Sequence, residues 1–313
     1  MATTKTGDNT ILHTFDASGP QHVDAYLRAS SLKVTAAPVD QITVEVTLAK
    51  GVHINADPQE VLVEYSAGVL RIEVPETEGG GLKFGPIQIG SFSSHRYTIE
   101  VQLPEGSNIK AQAGSGSIDL SGSLDRVTAT CGSGRISVEQ AREIYAKAGS
   151  GAITVDRAEK LEAAAGSGAI GVSTVGEAHL TAGSGSIRVG TAEGRTELKT
   201  GSGAIRLGRI VETSAAAGSG DIDVSELCGS LKAKTGSGDV TVDRAISGVI
   251  EATAASGAIE VGIPAGAAVL QDCSTISGRL SSALEDAEGP GEAEHRLELH
   301  ARTVSGNISV LRA

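Results

Sequence analysis

The stretch TAGSGSIRVGTAEGRTELKTGSGAIRL, residues 181–207, contains the same eight-residue phrase twice, as AGSGSIRV at Ala182 and as TGSGAIRL at Thr200. The first glycines of this phrase and its near-copies stand at positions 114, 132, 149, 166, 183, 201, 218 and 236. Successive copies are therefore 17 or 18 residues apart (183 − 166 = 17; 201 − 183 = 18). A short fixed period is typical of a repeat architecture, in which each unit buries its apolar face only against its neighbours.

Each unit contains two stretches in which apolar and polar residues alternate. After the Gly-Ser-Gly, Ile187 and Val189 flank Arg188, and before it Leu231 and Ala233 flank Lys232 in another copy. Period two indicates strands with one buried face, and glycine would cost about 1 kcal/mol at each helical position. Two strands joined by a Gly-Ser-Gly corner, and closed by a more variable second corner, predict an all-β fold. We expect a single-chain β-solenoid (β-helix) with coils of about 17–18 residues.

The corner itself has a structural interpretation. Glycine adopts positive φ and fits where a Cβ would not, so we expect it wherever the backbone turns sharply between stacked coils. The nine serines from Ser115 to Ser256 are expected to stack at that corner. Ala and other small residues face the Ile and Val positions, which predicts a thin coil interior.

Composition divides the chain near residue 105. Six of its seven Phe and Tyr residues precede residue 100, and only Tyr145 lies among the repeats. We predict that residues 1–104 form an N-terminal β-strand cap, or first irregular coils, and that residues 105–313 form the solenoid. Within the solenoid, residues 284–294 are predicted to be an acidic loop and residues 295–313 the terminal coil.

Charge and hydropathy exclude several classes of protein. The formal net charge of −12 disfavours nucleic-acid binding. The chain contains no run of 18 apolar residues, so no transmembrane segment is predicted. The N-terminal MATTKTGDNTILHTF lacks the apolar core of a secretion signal, so a cytoplasmic location is expected. Cys131, Cys228 and Cys273 are far apart and imply no disulfide, and Cys131 takes an inward position.

The repeated phrase does not match the catalytic or phosphate-binding motifs that it resembles superficially. A hydrolase elbow has Gly-x-Ser-x-Gly with a histidine and an acid, and a phosphate loop is followed by a helix. Here the glycines flank serine directly, and Ile-x-Val follows. We therefore predict no catalytic residues and no cofactor.

Two groups of charged residues are candidate sites. Asp221 and Asp239 hold one position in consecutive coils and Asp223 lies close by, so the three carboxylates are candidate ligands for a hard cation such as Ca²⁺. The alternative is a solvated acidic face, partly balanced by lysines on the neighbouring strand. Arg188 and Arg206 likewise repeat one outward position. They would suit an anionic polymer or form a solvated face.

The order of motifs resembles a known family. A strand-rich N-terminal stretch, YTIEVQLPEGS (residues 97–107), tandem GSG-x-I-x-V units and a closing ARTVSGNISVLRA (residues 301–313) are similar to the bacterial β-strand-repeat family called putative adhesins. The founding domain of that family is a domain of unknown function. The resemblance covers nearly the whole chain, implies a β-solenoid fold and implies no catalytic residues.

These observations favour a non-enzymatic β-solenoid scaffold or adhesin-like interaction protein, acting through a rigid repetitive surface. Its partner would be an unknown protein or a cell-envelope polymer. The alternative is a carbohydrate-binding or polysaccharide-active β-helix enzyme, because polysaccharide lyases share this architecture. A monomer or weak end-to-end self-association is expected, since solenoid ends expose strand edges. We expect the open end to follow Val310, beside the acidic loop.

Overall fold

The computed structural model describes residues 2–7, 9–48, 57–75, 82–84, 87–89, 97–284 and 295–313. These residues form strands and turns, with one 3-10 helix at Pro58–Glu60. They group into two compact units, Met1–Gly151 and Ala152–Ala313, each described by itself below. Both units contain stacked parallel strands, and the first unit also contains antiparallel pairs; the parallel stacking confirms the predicted all-β solenoid. The division near residue 105 stays a prediction, and residues 285–294 of the predicted acidic loop lie outside the described residues.

The first unit contains thirteen of the described strands. They are β1 (Ala2–Gly7), β2 (Thr10–Asp16), β3 (His22–Arg28), β4 (Ser31–Ala37), β5 (Gln41–Leu48), β6 (Leu62–Ser66), β7 (Val69–Glu73), β8 (Leu82–Phe84), β9 (Ile87–Ile89), β10 (Tyr97–Pro104), β11 (Asn108–Ala113), β12 (Ile118–Cys131) and β13 (Ile136–Ala148). The antiparallel pairs are β1–β2, β2–β5, β5–β10, β6–β7 and the hairpin β8–β9.

Parallel stacking begins early in this unit, and it does not follow chain order. Strands β3 and β4 form one coil, which pairs with β11 and the start of β12 on one side. On the other side the same coil pairs with β7 and β10. Residues 22–37 therefore lie between two coils that both follow them in sequence. The N-terminal region thus contains irregular coils as well as antiparallel strands.

The second unit contains the remaining strands of the described chain. They are β14 (Ile153–Ala165), β15 (Ile170–Ala182), β16 (Ile187–Thr200), β17 (Ile205–Ala217), β18 (Ile222–Thr235), β19 (Val240–Ser256), β20 (Ile259–Ile263), β21 (Ala267–Ser277), β22 (Leu280–Ser282), β23 (His295–Ser305) and β24 (Ile308–Arg312). From β14 to β19 each strand pairs in parallel with the next, so that Ile170, Ile187 and Ile205 are consecutive partners.

The core of each coil has one more inward position than the sequence pattern indicates. Ile187 and Ile205 are fully buried, as the period-two pattern predicts. At the second corner, Ile210 and Leu227 are also fully buried and stack on each other. This position escapes the alternation because steps of three or four residues separate it from the inward residues on both sides. The variable corner therefore carries a third apolar ladder.

The Gly-Ser-Gly corner needs glycine because of the close approach of the next coil. The described glycines with positive φ lie elsewhere, at Gly19, Gly68, Gly106, Gly122, Gly248 and Gly266, so the expected positive φ at the corner is wrong. A Cβ on Gly203 would instead overlap the carbonyl oxygen of Gly185, and one on Gly220 would overlap that of Gly203. The second expected reason, that no Cβ fits, is confirmed.

The residue that precedes the corner completes its hydrogen bonding in some coils. Thr235 Oγ1 donates to the carbonyl of Gly220 in the adjacent coil (3.0 Å) and accepts from the backbone N–H of Gly238 (3.0 Å). The Cys131 thiol occupies the equivalent place and contacts the carbonyl of Gly116 at 3.2 Å. Burial raises the pKa of this thiol, and Cys131 is 2% exposed, as expected for a core residue.

The C-terminal coils are also out of chain order. Strand β23 pairs with β19 on one side and with β21 on the other, and β24 lies in the same way between β20 and β22. The corner stacking continues through this insertion, because Gly306 lies against Gly257 and Gly278 against Gly306. The expectation that residues 295–313 form the end of the stack is therefore wrong. The coil of β21 and β22 lies outside them.

The corner contact predicts a steric cost for the smallest possible side chain. Gly203→Ala should lower the free energy of unfolding by about 1–3 kcal/mol, because the methyl group must displace the Gly185 carbonyl. Gly171→Ala is the matched control, since a Cβ on Gly171 meets no atom within 4 Å. Urea unfolding of both variants measures the difference, and equal stabilities would contradict the corner contact.

The threonine before the corner predicts that its removal lowers stability and that its introduction into another coil raises it. Thr235→Ala should cost about 1 kcal/mol, because it removes one donor and one acceptor from the corner. Ala217 holds the same position between Thr200 and Thr235, so Ala217→Thr should raise the melting temperature. Thermal melts of both variants check this. A decrease for both would show that the position tolerates threonine only in particular coils.

Candidate functional site

The corner serines form an exposed row in each unit. Ser184 and Ser202 are exposed, and their backbone N–H groups donate to the glycines of the preceding coil. Within the described ranges no side chain of a corner serine hydrogen-bonds a histidine or a carboxylate. His179 instead lies on the outward face of β15 and contacts Glu197 at 3.3 Å. The described structure therefore contains no partner that would activate these hydroxyls as nucleophiles.

Asp221 and Asp239 lie in register directly after the corner, as the spacing predicted. The Asp239 backbone N–H donates to Asp221 Oδ1 (3.0 Å), and the Ala258 N–H donates to Asp239 Oδ1 (2.7 Å). Asn307 holds the same position and accepts from the Arg279 N–H at 2.9 Å. Each side chain thus satisfies a backbone donor of the next coil in the stack. Sequence reasoning missed this role, which the recurrence of Asp and Asn at one position could have indicated.

Asp223 lies one row away and has a different environment. Burial raises the pKa of its carboxyl; the Arg206 guanidinium opposes this shift and Asp221 adds to it. Arg206 Nε is 3.5 Å from Asp223 Oδ2. In the described part of the chain, no group of three or more His, Cys, Asp or Glu side chains is placed to hold a metal ion. The cation site at Asp221, Asp223 and Asp239 stays a prediction.

Oppositely charged side chains pair between adjacent coils along the outward faces. Arg209 contacts Glu226 at 3.5 Å in the second unit. In the first unit, Arg142 contacts Asp125 at 2.6 Å, and its hydrogen bond lowers the pKa of that carboxyl. Such exposed pairs contribute little stability individually. Their effect is to neutralise charge from coil to coil.

Arg188 and Arg206 are neighbours in register on one outward face. Arg206 pairs with Asp223, whereas Arg188 contacts no carboxylate within the described residues. The outward partner of Arg188 on the other side is Gly171, beside which a Cβ would meet only open space. The Arg188 guanidinium therefore stands beside a bare part of the sheet, and both arginines are exposed to solvent.

A shallow depression in the first unit was not predicted. It has a volume of about 370 Å³ and is lined by Asp24, Tyr26, Arg71 and Glu73. Strands β3 and β7 place these residues side by side, with Asp24 beside Arg71 and Tyr26 beside Glu73. The pairing joins segments almost fifty residues apart in sequence, and no periodic signal links them.

Capping by Asp239 predicts a specific pattern of stability. Asp239→Ala should destabilise the fold by about 1 kcal/mol, because the Ala258 N–H loses its acceptor. Asp239→Asn retains an acceptor oxygen and should be close to wild type. Thermal melts with and without millimolar Ca²⁺ measure this. A Ca²⁺-dependent increase in melting temperature that both substitutions abolish would instead support the cation site.

No helix in the ranges that the structure describes is long and apolar enough to span a membrane. The three cysteines are free thiols. Neither observation identifies a partner.

Comparison with known proteins places the chain in a family. A search of curated proteins found no match. A crystal structure described as a "putative adhesin" from Parabacteroides merdae is 10% identical over 97% of each chain, with a TM-score of 0.44. Another "putative adhesin", from Parabacteroides distasonis, is 15% identical over 80% of this chain and 96% of its own, with a TM-score of 0.39. The Toastrack DUF4097 family matches residues 26–311, which confirms the resemblance seen in the sequence, and the chain belongs to this family.

Proposed function

We propose that this Toastrack protein is a non-enzymatic, adhesin-like interaction scaffold that binds its partner through the repeated outward faces of its coils. The observation that carries the proposal is the exposed serine row, whose hydroxyls have no histidine or carboxylate partner in the described structure. A hydroxyl repeated along successive coils suits a contact surface better than a catalytic centre, which needs one activated group.

The outward faces supply the chemistry for binding. Their charged side chains recur at the spacing of parallel strands, about 4.8 Å, and several are paired with a neighbouring coil. A surface of this kind presents the same groups repeatedly to an extended partner. A cell-envelope polymer or an elongated protein surface has matching repetition, so either is a suitable partner.

The proposal predicts retention of a partner without its chemical conversion. Purified protein, immobilised and exposed to soluble protein, peptidoglycan and polysaccharide fractions of the native cell, should retain one fraction and release no product. Ser184→Ala should bind as well as wild type, because equivalent serines remain in the other coils. Loss of all function in Ser184→Ala, or steady release of shortened polysaccharide, would favour an enzyme.

A carbohydrate-binding role is the second candidate, and the depression around Tyr26 favours it. An aromatic ring with neighbouring Asp24, Arg71 and Glu73 offers an apolar surface and several hydrogen-bonding groups to a sugar. A glycan array tests this role with Tyr26→Ala. Tyr145→Ala is the control, because Tyr145 is a half-buried outward residue of β13 away from the depression. Binding that only Tyr26→Ala abolishes would support the second candidate.

A further inference from the structure

The outermost coil of the second unit, formed by β21 and β22, has an open side. Strand β21 pairs only with β23, and β22 only with β24, among the strands that the structure describes. No strand of the described ranges pairs with the outer N–H and C=O groups of β21 and β22, which can therefore accept another strand. We call this side the open edge (residues 267–282).

The open edge exposes three large apolar side chains. Leu280 stacks on the fully buried Ile308, yet it is itself 50% exposed because no coil covers it. Ile276 takes the place of the first corner glycine and is 82% exposed, and Leu270 is 63% exposed. Exposed apolar groups beside an unpaired strand favour association with another chain.

Within the open edge, the strands β21 and β22 lack the features by which strand edges avoid pairing, and the exposed Arg279 lies at the corner between them. Lysines, prolines and bulges commonly block such edges. Neither β21 (AAVLQDCSTIS) nor β22 (LSS) contains lysine or proline, and Asp272 is their one charged residue. Its carboxylate is 3.3 Å from both His300 and Arg302 of the neighbouring coil, and the Arg302 guanidinium neutralises it.

We propose that two copies of this chain associate through their open edges, with β21 antiparallel to β21 of the second copy. A two-fold axis that crosses β21 and β22 of the same coil also places β22 against the β22 of the second copy. A second copy therefore satisfies both free strands at once, whereas a single extended peptide would pair with only one.

The sequence of β21 selects the register of this pairing. Inward residues must face inward residues across the two-fold axis, so the axis passes through a residue and not between two residues. An axis at Asp272 would oppose the two carboxylates. An axis at Cys273 opposes Leu270 with Ile276 and Asp272 with Ser274, which places apolar residues together and no like charges opposite each other.

This register predicts opposite effects at one exposed position. Ser274→Asp puts a carboxylate opposite each Asp272, so it should weaken dimerisation by about threefold or more. Ser274→Lys puts an ammonium group there and should strengthen it by a similar factor. Thr253→Asp adds the same charge on the same outward row, two coils inside the stack, and should leave the dimer unchanged. Sedimentation equilibrium over a concentration series measures all four proteins.

Cross-linking tests the register independently. Directly opposite residues of an antiparallel pair have Cα atoms about 4.5–5.5 Å apart, which suits a disulfide. Mild oxidation should therefore link two chains of the wild type, and Cys273→Ser should abolish the link but keep the equilibrium dimer.

Two results would overturn the proposal. A protein that is monomeric across the concentration series would leave the open edge to a different partner. A dimer whose affinity is the same with Ser, Asp or Lys at position 274, or a cross-link that persists in Cys273→Ser, would show that the copies meet elsewhere.

Discussion

The contact between stacked corner glycines is the constraint on which the rest of the structure depends. Parallel strands lie about 4.8 Å apart, and at the corner the carbonyl of one coil occupies the place that a side chain of the next would need. Glycine at both ends of the corner allows the regular coils to turn at the same height, and the late coils keep the second glycine at Gly257, Gly278 and Gly306. The Ile and Val side chains then stack directly over one another, and the outward residues form straight rows.

The same constraint explains how coils can lie out of chain order. The coil of β23 and β24 fits between two earlier coils because it supplies a compatible residue at each level: Gly306 at the corner, Ile308 in the apolar ladder and Thr303 before the corner. Position in the stack therefore depends on matching residues and not on succession along the chain. One consequence is that the edge of the second unit is the coil with the most polar inward positions, including Gln271 and Ser282.

Much of the fold could be predicted from the sequence because its periods are local. The glycine spacing and the Ile-x-Val alternation indicate the coil, the corner and two inward ladders. The third ladder at Ile210 and Leu227 could not be read from period two, because steps of three or four residues interrupt the alternation around it. The order of the outer coils could not be predicted either, because the pairing of β19 with β23 joins residues almost fifty positions apart and no period links them.

The candidate sites also divide into features that the repeat predicts and features that it does not. The register of Asp221 with Asp239 follows from the repeat, and the structure places them as expected. Their capping of backbone N–H groups depends on which donors the corner leaves free, and that requires the coordinates. The depression at Tyr26 depends on the pairing of β3 with β7, which the sequence repeat does not predict. The irregular parts of the solenoid therefore carry a candidate site, as its regular faces do.

The rule that matching residues decide the position of a coil in the stack is tested most directly where chain order and spatial order disagree. The strand register places three residues next to one another on one outward row, in the order Thr253, Arg302 and Ser274. In a background without native cysteines, cysteines at 253 and 302, or at 302 and 274, should form a disulfide within one chain. Cysteines at 253 and 274 should not, because two strand spacings, about 10 Å, separate them. An efficient disulfide between 253 and 274 would contradict the inserted coil and with it the rule that residue matching decides position in the stack.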